Sequence, residues 1–433
     1  MIHNNKFVAY TLSIVAISSA IISFYLNINL SVIPSNTGIN EYLSEFNIFT
    51  KNGGAVSDLK THWQYIQLLK KDINNLFLYE LGVDFKLLNY PLHHLIVSQI
   101  PIISSNLKIY LSVFFIISLF LPLLFYKCLI IKYENINKEK LLTLASIIYI
   151  LPGFQYSAIW GNPHITALFF LLFSIYFILK LKKLNFKNNS YIYYSLFFLA
   201  LAAYVKQFYV FLFPFFLLII LKKKTIPPIK IIIFLFTIGL PGLFFLIKNP
   251  KLLFGLNTLN ITNFPSSIFI CSTIIFFYLI PFIFQYFYNN PINYRLLFLE
   301  IFKKKSTILI ITLVFFILYN YFYYEGNIGG GIIYKISNII LDNNYIFFVS
   351  AYFGIYSIFY YSGNNIDNYF LSLLLLISFS TGFFIFQKYF EPMFFILLLS
   401  FYDKKRIVKS IIPSINWIIF YFTTYYLALN IIY

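Results

Sequence analysis

The chain has 433 residues, 60% of them hydrophobic and 11% charged, with repeated apolar runs near the ~20 residues an α-helix needs to cross ~30 Å of hydrocarbon. That excludes a soluble domain. The formal charge of +18 and the 22% aromatic share (55 Phe, 38 Tyr) do not make a nucleic-acid surface, because the rings run through apolar stretches and the basic residues form short clusters between them.

In chain order, Lys6 precedes an apolar stretch from Phe7 to about Ile33, longer than a secretory signal core and without a small-residue cleavage site, which reads as an uncleaved signal anchor. Further apolar runs fall at 107–127, 141–158, 164–181, 191–205, 207–222, 229–247, 267–288, 306–323, 342–361, 368–386, 390–402 and 411–430. With the first, at 7–29, they predict an all-α, polytopic transmembrane bundle of about 13 spans forming one domain over 1–433. The stretch from Tyr191 to Leu221 is too long for one span, so two helices are expected to meet at an aqueous surface at Lys206-Gln207.

Alternate connections are basic, except the short 362–367 loop, which lacks a positive residue: Lys127, Lys132, Lys138 and Lys140; Lys180, Lys182, Lys183 and Lys187; Lys222, Lys223, Lys224 and Lys230; Arg295 and Lys303 to Lys305; Lys404, Lys405, Arg406 and Lys409. The positive-inside rule puts these loops and the N-terminus in the cytoplasm. The opposite set then faces outward and holds Asp58, His62, His93, His94, His164, Lys206, Glu325, Lys388 and Glu391. Within the long outward loop, 30–106, the segments 58–71 and 91–100 carry apolar residues at helical spacing, such as Leu59, Trp63, Ile66 and Leu69, and predict amphipathic helices on the outer surface.

Asp58 has two readings, an N-terminal helix residue favoured by the macrodipole or a general base taking a proton from an attacking hydroxyl; His62 follows one turn later on the same face. His93 and His94, being adjacent, point to different faces of a helix and do not make a two-histidine metal site. Lys206 and Lys388 are isolated cations on the outward side, either snorkelling or neutralising a phosphate. Gln387-Lys388 and Glu391 occupy a short polar break between apolar runs, where ionisable groups point to function. Gly329-Gly330-Gly331 reads as a flexible turn, and Cys128 and Cys271 give neither a disulfide framework nor metal-ligand spacing. No cofactor is called for.

Four stretches, Asp58 to Gln67, Tyr90-Pro91-Leu92, Tyr204-Val205-Lys206-Gln207 and Phe386 to Pro392, resemble the GT-C membrane glycosyltransferases, and within them the dolichyl-phosphate-glucose α-1,2-glucosyltransferases. The Gln-Lys-x-x-Glu pattern at 387–391 is the most specific of these. The chain departs from that family in having one carboxylate where the family has an Asp-Glu pair, and Lys206 where it has Arg, which loses the bidentate fork for phosphate. The resemblance implies inverting transfer of a sugar, glucose in that family, from a polyprenyl-phosphate donor to a lipid-linked or polysaccharide acceptor. Asp58 would then be the base, with Lys388 and Lys206 at the leaving phosphate and His62, His94, Trp160, Gln207, Gln387 and Glu391 binding substrate. A bacterial inner membrane with an extracytoplasmic site is the expected setting. The competing readings are a lipid-linked saccharide flippase, which would place its ionisable groups near midplane in repeated halves, and a polysaccharide polymerase or ligase.

Overall fold

Why each apolar run starts, bends or stops where it does is visible in a computed structural model describing residues 2–30, 53–77, 90–223, 225–248, 263–289, 305–324, 329–378, 385 and 387–410. The described residues form helices and no strand. Chain contacts divide them between two compact units, one built on Met1–Leu256 and one on Asn257–Phe420.

Unit 1 contains α1 (Ile2–Leu30), α2 (Gly53–Lys71), α3 (Leu92–Ser98), α4 (Pro101–Ser105), α5 (Leu107–Leu119), α6 (Leu121–Lys132), α7 (Lys138–Ser146), α8 (Pro152–Ile159), α9 (His164–Lys183), α10 (Ser190–Val205), α11 (Phe213–Leu221) and α12 (Pro228–Lys248). The α9 and α10 pair is fastened inside by a reciprocal exchange. Ser174 Oγ donates to the Ser195 carbonyl at 2.7 Å and Ser195 Oγ to the Ser174 carbonyl at 3.1 Å, which spares two hydroxyls the cost of lying bare in an apolar interior. Between α7 and α8 the chain bends by 63°. Pro152 accounts for it: it forces Leu151 into an extended conformation (ψ 126°) and removes the N–H that would continue the ladder.

Unit 2 contains α13 (Phe264–Asn289), α14 (Lys305–Tyr319), α15 (Gly331–Leu341), α16 (Tyr345–Tyr361), α17 (Ile366–Ile377), α18 (Gln387–Phe390), α19 (Met393–Phe401) and α20 (Lys404–Ser410). Here α13 is central, with 83% of its Phe264–Ile283 window buried, and α15, α16, α17 and α20 pack on it. The α13 and α16 backbones touch at Gly354, where an added Cβ would stand 2.0 Å from the Ser272 carbonyl oxygen. Gly354→Ala is therefore expected to force the two helices apart and to cost about 1–3 kcal/mol or more, read as a lower thermal midpoint of the detergent-solubilised chain.

Among the described residues five helices are long and apolar enough to cross a membrane: Lys6–Leu26, Leu107–Lys132, His164–Lys183, Pro228–Ile247 and Phe264–Ile283; the bent α7 and α8 pair would make six. They are consistent with an integral membrane protein. The described residues show five or six helices of spanning length and do not extend to a count of 13. Ser190–Val205, Gln207–Leu221, Ile308–Tyr319, Tyr345–Tyr361 and Ile366–Ile377 are shorter apolar helices of 10–17 residues. At 1.5 Å per residue even the longest of these falls short of ~30 Å. The run at 390–402 contains the 9-residue α19, and the run at 411–430 lies outside the described residues.

The basic segments of unit 1 do gather at one end. Lys6 pairs with Glu139 at 3.7 Å, Lys183 with Glu134 at 2.6 Å, and Lys223 Nζ lies 5.8 Å from the Phe186 ring centre. The ion pairs are exposed enough to contribute little energy, but they fix which loops are neighbours.

Candidate functional site

The opposite end of unit 1 holds the ionisable groups. His93 of α3 contacts Thr166 in the first turn of α9, whereas Glu134 reaches Lys183 in its last turn. The 20 residues between these ends of α9 rise ~30 Å, the thickness of a hydrocarbon core. A polar cluster and a basic cluster thus occupy opposite ends of one membrane-length helix.

The helix α2 begins at Gly53, so Asp58 stands in its second turn rather than opening it, where the macrodipole no longer favours a carboxylate. Leu59, Trp63 and Ile66 turn inward onto Val97, Tyr110, Leu111, Phe114, Ile159 and Trp160. That apolar stripe leaves Asp58 and His62 half-buried at its margin, and the Tyr156 hydroxyl of α8 donates to Asp58 Oδ2 at 3.0 Å. Trp160 is part of the buried stripe.

Both histidines of α3 are buried, on different partners. Tyr110 OH donates to the Gly161 carbonyl, so its oxygen accepts from His93 Nε2 at 3.0 Å. His93 Nδ1 is then the unprotonated nitrogen and accepts from the Thr166 hydroxyl at 2.8 Å. Burial, and secondly the Lys206 charge, push the His93 pKa down to about 3, which agrees with a neutral ring. Gly161 completes this strut: its φ is +58°, and a Cβ there would meet the Tyr110 ring at 2.6 Å.

His94 Nε2 lies 2.9 Å from His62 Nδ1, and His94 Nδ1 is buried with no hydrogen-bond partner. A proton on Nδ1 would be an orphaned buried donor, so the better tautomer is Nε2–H donating to His62, with the His62 proton on Nε2. Burial, then His62, His93 and Lys206, hold the His94 pKa well below its ordinary value. Lys206 itself is buried at 5% exposure, not at the aqueous junction expected of it. It follows the last turn of α10 in an extended conformation, and Gln207, half-buried, opens a 3-10 turn (Gln207–Leu212). The break between two helices does fall at Lys206-Gln207. His164, also buried, begins α9 with its backbone N–H donating to Asn162 Oδ1 at 3.1 Å.

In unit 2, Gln387 is a hub. Its Oε1 accepts from the Ile332 N–H at 3.1 Å, and its Nε2 donates to Glu391 Oε1 at 2.9 Å and to the Tyr278 hydroxyl at 3.1 Å. Glu391 is buried, and Lys388, half-buried, has its Nζ 6.0 Å from the Tyr389 ring centre. The three glycines before Ile332 are a shaped turn rather than a flexible one. Each has positive φ, and a Cβ on Gly329 would press on the Ile385 carbonyl, one on Gly331 on Ile274. Lys335 of α15 is half-buried, and burial lowers its pKa. Glu325 lies outside the described residues.

Among the described residues no group of three or more His, Cys, Asp or Glu side chains is arranged to hold a metal ion, and Cys128 and Cys271 are buried free thiols. The residues missing from the sequence reading are two tyrosines and a threonine: Tyr156, Tyr110 and Thr166. In a chain with 38 Tyr, nothing in the local sequence sets these apart. No family model matches the chain, and neither a curated protein nor a solved structure matches it.

Proposed function

We propose that the chain is a membrane glycosyltransferase that moves a sugar, glucose being the one its motifs suggest, from a polyprenyl-phosphate donor to an acceptor hydroxyl with inversion. In this reading Asp58 takes the proton of the acceptor hydroxyl as its oxygen attacks the anomeric carbon, and the lipid phosphate leaves with the electron pair of the broken C–O bond. Lys206 offsets the charge that grows on that phosphate. Its ammonium also lies near enough to His93 and His94 to depress their basicity, which keeps the neighbouring rings neutral for binding hydroxyls.

The observation that carries the reading is the placement of a Tyr156-bound carboxylate, a hydrogen-bonded imidazole pair and a buried lysine together at the end of α9 away from the basic loops. A flippase would need its charges near the middle of that helix. The basic end fits a cytoplasmic surface by the positive-inside rule, so the site is assigned to the outer face, of a bacterial inner membrane by preference.

The test is incubation of the purified, reconstituted chain with a panel of radiolabelled polyprenyl-phosphate sugars and oligosaccharide acceptors. Loss of lipid label into an acceptor with inverted anomeric configuration is expected for at least one donor. Movement of label across the bilayer without bond cleavage would replace this reading with transport, and use of diphosphate-linked donors alone would replace it with a polymerase or ligase.

A further inference from the structure

Helix α12 contains Pro241, which has no N–H to give the Thr237 carbonyl and whose ring crowds that carbonyl. At the next position the ladder is entered by a side chain from another helix. Tyr204 OH accepts from the Gly242 N–H at 3.1 Å and donates to the Ile238 carbonyl, the two groups that bond each other in an uninterrupted helix. Gly242 is the residue that admits the ring, because a Cβ there would lie 2.8 Å from Tyr204 Cε1.

Tyr204 is in the last turn of α10, two residues before Lys206. Its ring also meets Tyr90 edge-on at 5.8 Å, and Tyr90 in turn packs on Phe245 of α12 at 5.6 Å. Tyr90 is followed by Pro91, the residue that precedes α3, and α3 carries His93 and His94. One side chain therefore ties three things together, its ring the end of α10 that holds the buried lysine and the entry to the histidine helix, its hydroxyl a weakened rung in α12. Most of α12 is exposed among the described residues, so the Tyr204 contact is one of the few described there that can fix its angle.

We propose that Tyr204 is a positioning residue, whose hydroxyl, set into the α12 ladder beside Pro241, holds Lys206 at the depth where it meets the donor phosphate. This rests on the glycosyltransferase reading for the identity of the phosphate, and not for the mechanical link. Tyr204→Phe removes only the hydroxyl. Gly242→Ala keeps the hydroxyl and drives the ring out, so the two variants reach the same state by different routes.

In the full chain in nanodiscs, either substitution is expected to speed hydrogen exchange at residues 238–242 roughly tenfold, the factor for losing one net hydrogen bond. Acylation of Lys206 by an amine reagent should rise with it. In turnover, Tyr204→Phe is expected to lower kcat/KM about tenfold with Lys206 present and less than about twofold in a Lys206→Met background, since two residues acting through one contact are not additive. An equal loss in both backgrounds would make Tyr204 merely structural and overturn the proposal. Unchanged exchange and labelling in both variants would overturn the mechanical link itself. Neither of those readings needs catalysis, so a chain that transfers no sugar would sink the proposed function while the link between Tyr204 and Lys206 is still decided.

Discussion

Asp58→Asn is expected to reduce sugar transfer by about 10²- to 10⁴-fold, the range for removing a positioned general base, while the protein inserts and purifies as before. The substitution is nearly isosteric. Its amide oxygen still accepts from the Tyr156 hydroxyl, and Leu59 and Trp63 beside it keep their buried contacts. What disappears is the ability to hold a proton. Because Asp58 is half-buried at the margin of the apolar stripe and Asn has its shape, stability should move by no more than about 1 kcal/mol. The measurement is the initial rate with the preferred radiolabelled donor in proteoliposomes, with elution from a sizing column as the control for folding. A rate within about fivefold of the parent would remove Asp58 as base, below the lower bound given above. The next group to examine would then be His62, half-buried one turn from Asp58 and hydrogen-bonded to His94.

Much of this end of the molecule was legible in the amino-acid pattern because amphipathic spacing encodes a face. Leu59, Trp63, Ile66 and Leu69 predict an inward stripe on one helix, and all four are buried. The same spacing sets Asp58 and His62 side by side at its edge. The start of the helix was not legible: Asn52-Gly53-Gly54 reads as a breaker, yet α2 begins at Gly53, which changes Asp58 from a cap-region residue to one in the second turn. Apolar runs are a guide to what can face lipid, and among the described residues five or six of them form helices long enough to cross it. Composition says nothing of length after Lys206 and Pro152 have cut the helices, and α12 continues past Pro241, with the Tyr204 hydroxyl bridging the next rung between the Gly242 N–H and the Ile238 carbonyl.

Lys206 shows a different gap. Read locally, a lysine between two apolar runs belongs at water; it is buried because α10 ends there and the chain turns into a 3-10 helix, with Tyr209 N–H bonding the Lys206 carbonyl. Burial of that kind is decided by neighbours far away in sequence. The histidines of α3 belong to the same class: their opposite directions follow from helix geometry, but that Thr166 and Tyr110 wait on one side and His62 on the other does not.

Those buried rings predict that α3 opens in mild acid. An exposed imidazole titrates near 6.5, whereas His93 is held down to about 3 by burial and by Lys206, and His94 is shifted in the same direction. Between these values the open state carries a proton that the closed state lacks, so the closed state gains stability as pH rises through the window and loses it as pH falls below about 6.5. Each histidine then lowers the closed-to-open ratio about tenfold per pH unit, and above the window the contribution is whole. Among the described residues the groups facing the two rings are His62 and Tyr65 from α2, Tyr110 and Phe114 from α5, Thr166 from α9 and Lys206 after α10; none of these is a carboxylate able to stabilise an imidazolium. The expected result is that hydrogen exchange at residues 92–98 accelerates steeply from pH 6.5 to pH 5, and that His93→Gln, which can still bond Tyr110 and Thr166, reduces the slope by about one proton. A parent chain whose exchange, corrected for intrinsic rates, stays flat across that interval would show that the rings are not neutral and enclosed, and with them would go the tautomer assignment that fixes His62.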